Sequence, residues 1–195
     1  MRSVHAALVA ALAVLFLHFG SLAQAELRVF VAEQGGGVRQ YSASGDDLGV
    51  FAGGLSFLGA IAADPAGNIY VSEDLTLSGP GRISKFSPSG QLLLTLATPF
   101  AIAGVRVGND GTIYVANYFG HAVHHYAPSG LDLGVFVSLP ASGRADFITF
   151  DANGYLYVTD FVSHAIRRIS PAGVDLGNFI TGIAGSVARG SLGSS

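Results

Sequence analysis

The sequence predicts an all-β protein, a β-propeller of four-stranded blades, with about four blades forming an incomplete or open arc of a larger propeller. Three observations lead to this prediction. Short sequence markers recur in a fixed order, their period is typical of propeller blades, and tight turns containing glycine separate segments that alternate with the period of a strand. Helix signals are missing after the N-terminal segment, and the 27 glycines recur too often for helices.

The first marker is an aliphatic-aromatic-valine segment that ends on a polar residue. Its four copies are LRVFVAEQ (27–34), GNIYVSED (67–74), GTIYVANY (111–118) and GYLYVTDF (154–161). In this register Val29, Ile69, Ile113 and Leu156 align, at spacings of 40, 44 and 43 residues. Such β-branched and aromatic segments favour strands.

Two further markers follow each copy, and the last residue of the third marker always lies six residues after the glycine of the second. The second marker is a turn: SASG (42–45), SPSG (87–90), APSG (127–130) and SPAG (170–173). The third marker is a strand: DLGVF (47–51), LLLTL (92–96), DLGVF (132–136) and DLGNF (175–179). The constant offset predicts equivalent turns on one side of the array, with the strand aromatics Phe51, Phe136 and Phe179 buried between blades.

These markers define a unit of four strands, a to d. Strand a is GAIAAD (59–64), GVRVG (104–108) or FITFD (147–151), and strand b is the first marker. Strand c is VRQYS (38–42), RISKFS (82–87), AVHHYA (122–127) or AIRRIS (165–170), and strand d is the third marker. Turns in which Asp or Asn precedes Gly join strands a and b, because the Asx side chain caps the turn and Gly takes the positive φ. The first copy lacks a strand a, so the chain is predicted to enter at strand b.

A repeat of this length needs neighbours, because one four-stranded sheet cannot bury both of its faces. Four copies either close into a four-bladed ring or form an open arc. The segment GSVARG (185–190) stands where another strand a would begin, but no strand b follows it. We therefore expect the open arc, whose strand edges favour association.

The N-terminal segment 1–25 is predicted to be a signal peptide. Arg2 precedes an apolar run from Ala6 to Phe19, and the segment closes on Ala23-Gln24-Ala25, a pattern that signal peptidases accept. The mature chain would then start near Glu26 and be secreted or periplasmic. The alternative is an uncleaved N-terminal anchor. Residues 26–183 hold the repeats, and residues 184–195 form a Gly/Ser-rich C-terminal tail.

Composition excludes several classes of function. The net charge is −3 and no basic patch is present, which argues against nucleic acid as a partner. The sequence contains no Cys, so disulfides, thiolate chemistry and cysteine metal sites are excluded. No stretch after the predicted signal peptide is long and apolar enough to span a membrane.

The candidate site is the set of polar residues that end strand b. These residues are Glu33, Glu73, Asn117 and Asp160. Repeats related by rotation place equivalent positions around one axis, and oxygen ligands suit Ca²⁺ or another divalent cation. The competing interpretation, which we favour, is that each side chain caps its own loop. We therefore expect no catalytic residue, no resident cofactor and no tight metal site.

Histidines form the other conspicuous group. His121 aligns with His164 in the loop after strand b, while His124 and His125 are adjacent on strand c and must point to opposite faces. The loop histidines are expected to shape the loop by hydrogen bonding, since a metal site needs convergent ligands.

The segments DPAGNIYVSED (64–74) and DANGYLYVTDF (151–161), with the strands that follow them, resemble the NHL repeat. The resemblance covers nearly all of residues 26–183 and implies a β-propeller, usually of six blades. It is specific for the fold and poorly specific for function. Because no catalytic constellation converges in the sequence, we expect a non-catalytic binding or scaffold module with an unknown protein, small-molecule or carbohydrate ligand on its loop face.

Propellers similar to this one also include gluconolactonase-like hydrolases, which use a divalent cation, and streptogramin-lyase-like enzymes. The resemblance to a hydrolase would assign Glu73, Asn117 and Asp160 to the ion, but the surrounding motifs of that family are not matched. The resemblance to a lyase would assign His121 or His164 as a channel-facing group.

Overall fold

The structure is a computed structural model and describes residues 13–19, 26–33, 36–74, 79–141 and 143–183. Within these residues it contains sixteen β-strands and no helix. The strands form four antiparallel sheets of four strands each, and every sheet keeps the order of the sequence. The predicted all-β class and the four-stranded repeat are confirmed.

We number the sheets as blades 1 to 4. Blade 1 consists of β1 (Ala13–Phe19), β2 (Glu26–Glu33), β3 (Gly37–Ser42) and β4 (Asp47–Ala52). Blade 2 consists of β5 (Leu58–Ala63), β6 (Ile69–Asp74), β7 (Gly81–Phe86) and β8 (Leu92–Thr98). Blade 3 consists of β9 (Ile102–Val107), β10 (Ile113–Asn117), β11 (Ala122–Tyr126) and β12 (Asp132–Ser138). Blade 4 consists of β13 (Ala145–Phe150), β14 (Leu156–Asp160), β15 (Ala165–Ile169) and β16 (Asp175–Ile180).

The turns between strands a and b follow the predicted chemistry. Asp64 Oδ1 accepts hydrogen bonds from the backbone N–H groups of Ala66 and Asn68, at 3.0 and 2.9 Å. Asp151 does the same in blade 4, and the glycine that closes each of these two turns has a φ near +80° (80° at Gly67, 79° at Gly154). A side chain thus satisfies the backbone donors that a tight turn leaves unpaired.

A β-bulge on strand d explains the recurring Asp-Leu-Gly motif. The bulge glycines Gly49, Gly134 and Gly177 have φ of 97°, 93° and 92°. In each copy the Asp two residues earlier accepts the glycine N–H through Oδ1, at 2.7 to 2.9 Å. A second register shift on each of these strands makes the aromatic two positions after the glycine an extra residue in the pairing with strand c. Blade 2 lacks this Asp-Leu-Gly motif. Leu94 holds the position of the bulge glycine there, and its side chain contacts the turn glycine of the next blade, as Phe51 and Phe136 do.

The hydrophobic core lies between the blades. The innermost strands contact one another in chain order, β1 with β5, β5 with β9 and β9 with β13. We call the side of a blade that faces the next one its forward face, and the opposite side its rear face. The junction of blades 1 and 2 buries Phe30, Ala32, Val38, Ala52 and Leu55 against Leu58, Ile61, Ile69, Val71 and Phe86. Equivalent clusters fill the next two junctions.

Blade 1 differs from the sequence interpretation at its inner edge. We expected the first copy to begin at strand b, whereas Ala13–Phe19 pairs antiparallel with Glu26–Glu33 along its whole length. The physical reason is that an apolar seven-residue run suits a strand as well as a leader, and the edge of β2 offers unpaired backbone groups. Cleavage near Glu26 stays a prediction, and it would remove this strand from the mature protein.

The strand d aromatics are less uniform than predicted. Phe51 and Phe136 are half-buried and pack against the following blade, but Phe179 is 54% exposed. The prediction that all three are buried is therefore wrong for Phe179. The reason is that no further blade follows blade 4 among the described residues, so the structure presents an open arc.

Tyr126 provides a test of the junction between blades 2 and 3. Its ring is 2% exposed, and its hydroxyl is buried without a hydrogen-bond partner in the described part of the chain. Burial, with a smaller contribution from Asp132, raises the pKa of Tyr126 to about 12. Because a buried unsatisfied hydroxyl costs about 1–3 kcal/mol, we expect Tyr126→Phe to leave the free energy of unfolding unchanged or raise it by about 1 kcal/mol. Urea denaturation measures this change, and a loss above 1 kcal/mol would contradict the buried, unpaired hydroxyl.

Candidate functional site

The four residues that end strand b lie on the same side of the arc. Glu33 is half-buried, whereas Glu73, Asn117 and Asp160 are buried, with exposures of 0%, 8% and 2%. They stand beside the loops that join strands b to c and strands d to a. We call this side of the arc the loop face. The local contacts of each residue decide what it does there.

Glu73 is held in a charged network. Arg82 donates to both carboxylate oxygens, through Nε at 2.8 Å and Nη2 at 2.6 Å, and Ser84 Oγ donates at 3.2 Å. The backbone N–H of Ser56, in the preceding d–a loop, donates at 2.9 Å. Burial alone would raise the pKa of Glu73, but the hydrogen bonds, first among them that from Arg82, hold it below its ordinary value. The carboxylate therefore ties the preceding d–a loop and strand c to the end of strand b, and it is not confined to capping its own loop.

Asn117 caps the loop that follows it. Its Oδ1 accepts the N–H of Gly120 at 2.8 Å, and its Nδ2 lies 3.5 Å from His124 Nε2. The His124 ring packs on Phe100 at 4.4 Å between centroids, and burial lowers the pKa of His124. This group is therefore a packed, largely neutral part of the blade.

Asp160 caps two segments at once. Oδ1 accepts the N–H groups of Arg144 and Val162, at 2.8 and 3.1 Å, and Oδ2 accepts Ser163 Oγ at 2.6 Å. Burial acts to raise the pKa of Asp160, and these hydrogen bonds more than offset it, so the pKa lies below the ordinary value. The d–a and b–c loops of blade 4 are joined by this one side chain.

The oxygens of these residues do not fit a shared cation site. In the part of the chain that the structure describes, no three His, Asp or Glu side chains come together in a group able to hold a metal ion. The carboxylate of Glu73 already pairs with a guanidinium, and Asp160 accepts from the backbone. A cation needs oxygens at about 2.3–2.6 Å from one point.

The loop histidines shape the backbone. His121 and His164 have positive φ, 52° and 50°, which is uncommon for residues other than Gly. Their carbonyl oxygens accept the N–H of Leu139 and Ile183, at 2.7 and 3.1 Å, and His121 Nδ1 hydrogen-bonds the carbonyl oxygen of Gly143. Each histidine thus attaches its b–c loop to the end of the neighbouring d strand.

An exposed aromatic cluster on the loop face was not predicted. It consists of Tyr118, Phe119, Phe161 and Arg144, and we call it the loop-face aromatic cluster. The Tyr118 ring contacts those of Phe119 and Phe161, with centroids at 4.9 and 6.1 Å. Phe119 and Phe161 remain 45% and 40% exposed.

Arg144 completes the loop-face aromatic cluster. Its guanidinium carbon lies 5.2 Å from the Tyr118 ring centroid and 5.4 Å from that of Phe119, within cation–π range. The repeat register already places Tyr118 and Phe161 at equivalent positions, one residue after Asn117 and Asp160. That register was the available signal, but the approach of two neighbouring blades is visible only in the folded chain.

No protein-family model matches the sequence, and comparison with curated proteins gives no match. Solved structures do resemble the fold. A gluconolactonase-like protein superposes with a TM-score of 0.63 at 17% identity, covering 79% of this chain and 60% of the other. Virginiamycin B lyase from Staphylococcus aureus gives 0.63 at 14% identity, covering 85% and 59%.

The calcium-binding protein regucalcin from Agrobacterium tumefaciens gives a TM-score of 0.61 at 16% identity, covering 83% of this chain and 58% of the other. This chain therefore spans less than two thirds of the length of these neighbours. No helix among the described residues has the length and apolar character of a membrane span. At such low identity the likeness shows the fold alone, and that fold is the β-propeller.

Proposed function

We propose that this chain is an exported β-propeller, secreted or periplasmic, that binds a partner on its loop face and performs no catalysis. Loops carried by a rigid scaffold commonly hold such contacts. One observation carries the proposal: the loop-face aromatic cluster presents two exposed phenylalanine rings beside a guanidinium, outside the packed core. The NHL-type repeat pattern is consistent with a binding module of this kind.

The chemistry of the cluster selects an anionic ligand with a flat apolar face. The exposed rings of Phe119 and Phe161 offer stacking surface, and Arg144 offers a donor fork that suits a carboxylate. An acidic carbohydrate has both features, because one face of a sugar ring carries C–H groups and a uronic acid adds the carboxylate. We therefore propose acidic oligosaccharides as the ligand class.

Calorimetric titration with uronic-acid oligosaccharides and their neutral counterparts tests this proposal. We expect binding of the acidic series only, weakened at least about tenfold in Phe119→Ala and in Arg144→Gln and reduced by added salt. Arg144→Gln keeps the backbone N–H that Asp160 accepts. Leu133→Ala, at an exposed position on β12, is the matched control and should bind normally. Equal binding by all four proteins, or by none, would refute the proposal.

The second candidate is a divalent-cation-dependent lactone hydrolase or a lyase. The similarity in fold to gluconolactonase-like and lyase structures supports it, and Glu73, Asn117 and Asp160 offer suitable oxygen types, with His121 or His164 for a lyase. The described contacts do not fit a bound ion, so we derive no reaction step. Titration with Ca²⁺, Mg²⁺, Mn²⁺ and Zn²⁺ separates the candidates. Micromolar binding that disappears in Asp160→Ala and Asn117→Ala would favour the hydrolase.

A further inference from the structure

Among the described residues, each end of the arc presents a blade face that no neighbouring blade covers. On the forward face of blade 4, Ile180 is 43% exposed, while Ala52, Leu96 and Val137, which hold the equivalent position in the other blades, are only 5% to 7% exposed. Phe179 on the same face is 54% exposed. This face therefore has the composition of a blade junction without a covering blade.

The rear face of blade 1 shows the opposite half of the same junction. Val29, Val31 and Tyr41 are half-buried there, whereas their equivalents in the other three blades are at most 7% exposed. An ion pair on this face is also more exposed than its equivalent in another blade. Arg39 and Asp47 on this face keep 34% and 46% of their side chains exposed, against 14% and 20% for the equivalent pair Arg167 and Asp175 in blade 4.

A recurring contact shows how such faces join. In blades 2, 3 and 4 the glycine of the c–d turn packs against strand d of the preceding blade, at Phe51, Leu94 and Phe136 respectively. A Cβ on Gly90 would lie 2.7 Å from the carbonyl oxygen of Phe51, and one on Gly173 would lie 2.6 Å from that of Phe136. Only glycine permits this approach.

At the ends of the arc, a turn glycine and a strand d phenylalanine each lack this contact among the described residues. Gly45, the c–d turn glycine of blade 1, has a φ of 88°. A Cβ at this position would meet no atom within 4 Å. Phe179, which holds the position of Phe51 and Phe136, has no turn glycine above it among the described residues. The two open faces are thus complementary in shape and residue type.

We propose that two copies of this chain associate head to tail. The forward face of blade 4 in one copy packs on the rear face of blade 1 in the other, and Phe179 meets the turn at Gly45. Where the reciprocal contact also forms, the pair is a two-fold ring of eight blades, within the range of about four to eight that propellers use. The closed ring leaves no blade face exposed.

The C-terminal tail is a weaker occupant of the same face. Residues 184–195 contain Val187 and Leu192 as their only large apolar side chains. Each described junction instead buries five apolar side chains from the following blade, for example Leu58, Ile61, Ile69, Val71 and Phe86. The rear face of blade 1 in a second copy supplies Val29, Val31 and Tyr41 at the positions that Ile69, Val71 and Phe86 hold in blade 2.

Light scattering after size exclusion tests the association in protein expressed with its own N-terminal segment. The wild type is expected at the mass of two chains. Phe179→Asp and Gly45→Asn are each expected to weaken the association at least about tenfold. Asn tolerates a positive φ and has open space at position 45 of the single chain, so Gly45→Asn obstructs the junction and preserves the fold. Gly54→Asn, at another open glycine of positive φ, and Leu133→Asp, on an exposed strand, are the matched controls and should remain dimeric.

Mixing the two variants gives the decisive result. A mixed pair keeps one intact junction, between the native blade 4 face of Gly45→Asn and the native blade 1 face of Phe179→Asp. We therefore expect the mixture to recover dimer that neither variant forms alone. A monomeric wild type, as a tail-covered face would give, overturns the proposal. So does a dimer that Gly45→Asn leaves intact, or a mixture that stays monomeric.

Discussion

Replacing Phe30 with alanine is expected to lower the free energy of unfolding by about 3–5 kcal/mol, the range for truncating a core phenylalanine. Phe30 is fully buried at the junction of blades 1 and 2, and its ring meets that of Phe51 edge to face at 4.8 Å between centroids. The substitution leaves a cavity between two sheets whose packing stabilises the arc. The change in unfolding free energy is measured by urea denaturation.

Leu133→Ala is the control for this prediction. Leu133 is also a large apolar residue on a strand, but it is 46% exposed on the outer strand of blade 3. Its truncation should change the free energy of unfolding by less than about 0.5 kcal/mol. If Phe30→Ala were no more destabilising than Leu133→Ala, the interior between blades 1 and 2 would not be a packed core.

Glu73→Ala is expected to cost about 3 kcal/mol, at the lower end of the range for breaking a buried ion pair. The lower end applies because the Arg82 side chain keeps 35% of its surface exposed and can be solvated when the carboxylate is lost. The substitution also leaves the Ser56 N–H and the Ser84 hydroxyl without their acceptor. Thermal or urea unfolding at neutral pH measures the loss.

The same carboxylate makes stability depend on pH. Its pKa in the folded protein lies below the ordinary value of 4.5. Its contribution is therefore fully present above the unfolded pKa and is lost as the pH falls through the folded one. Glu73→Gln should flatten this acid limb of the stability profile, whereas Leu133→Ala, which removes no titratable group, should leave it unchanged. An acid limb unaffected by Glu73→Gln would show that the ion pair does not carry this dependence.

The repeat was predictable because its turns and strands depend on residues that are close together in the sequence. Asp64 and Gly67 define a turn within four residues, and Asp175 with Gly177 defines a bulge within three. Alternating segments such as that around Ile113 show the strand period directly. The same local logic correctly predicted that Asn117 and Asp160 would bond to nearby backbone.

The role of Glu73 was less predictable, since its main partner lies nine residues away on the neighbouring strand. Only the pairing of β6 with β7 brings Arg82 opposite it. The N-terminal run shows a similar ambiguity. An apolar segment satisfies the pattern of a signal peptide and the pattern of an inner strand, and Ala13–Phe19 pairs with β2 in the structure.

The sequence by itself determined the strand order, the turns and the four-fold repetition, because each depends on residues within a few positions of one another. The tertiary structure decided which surfaces are covered. Phe51, Phe136 and Phe179 end the same sequence motif, yet only Phe179 is more than half exposed. The difference is that a following blade covers Phe51 and Phe136, and the residues near each phenylalanine do not reveal whether such a blade is present. The loop-face aromatic cluster has the same origin, since it forms where the packing of the sheets brings Tyr118 of blade 3 against Phe161 of blade 4.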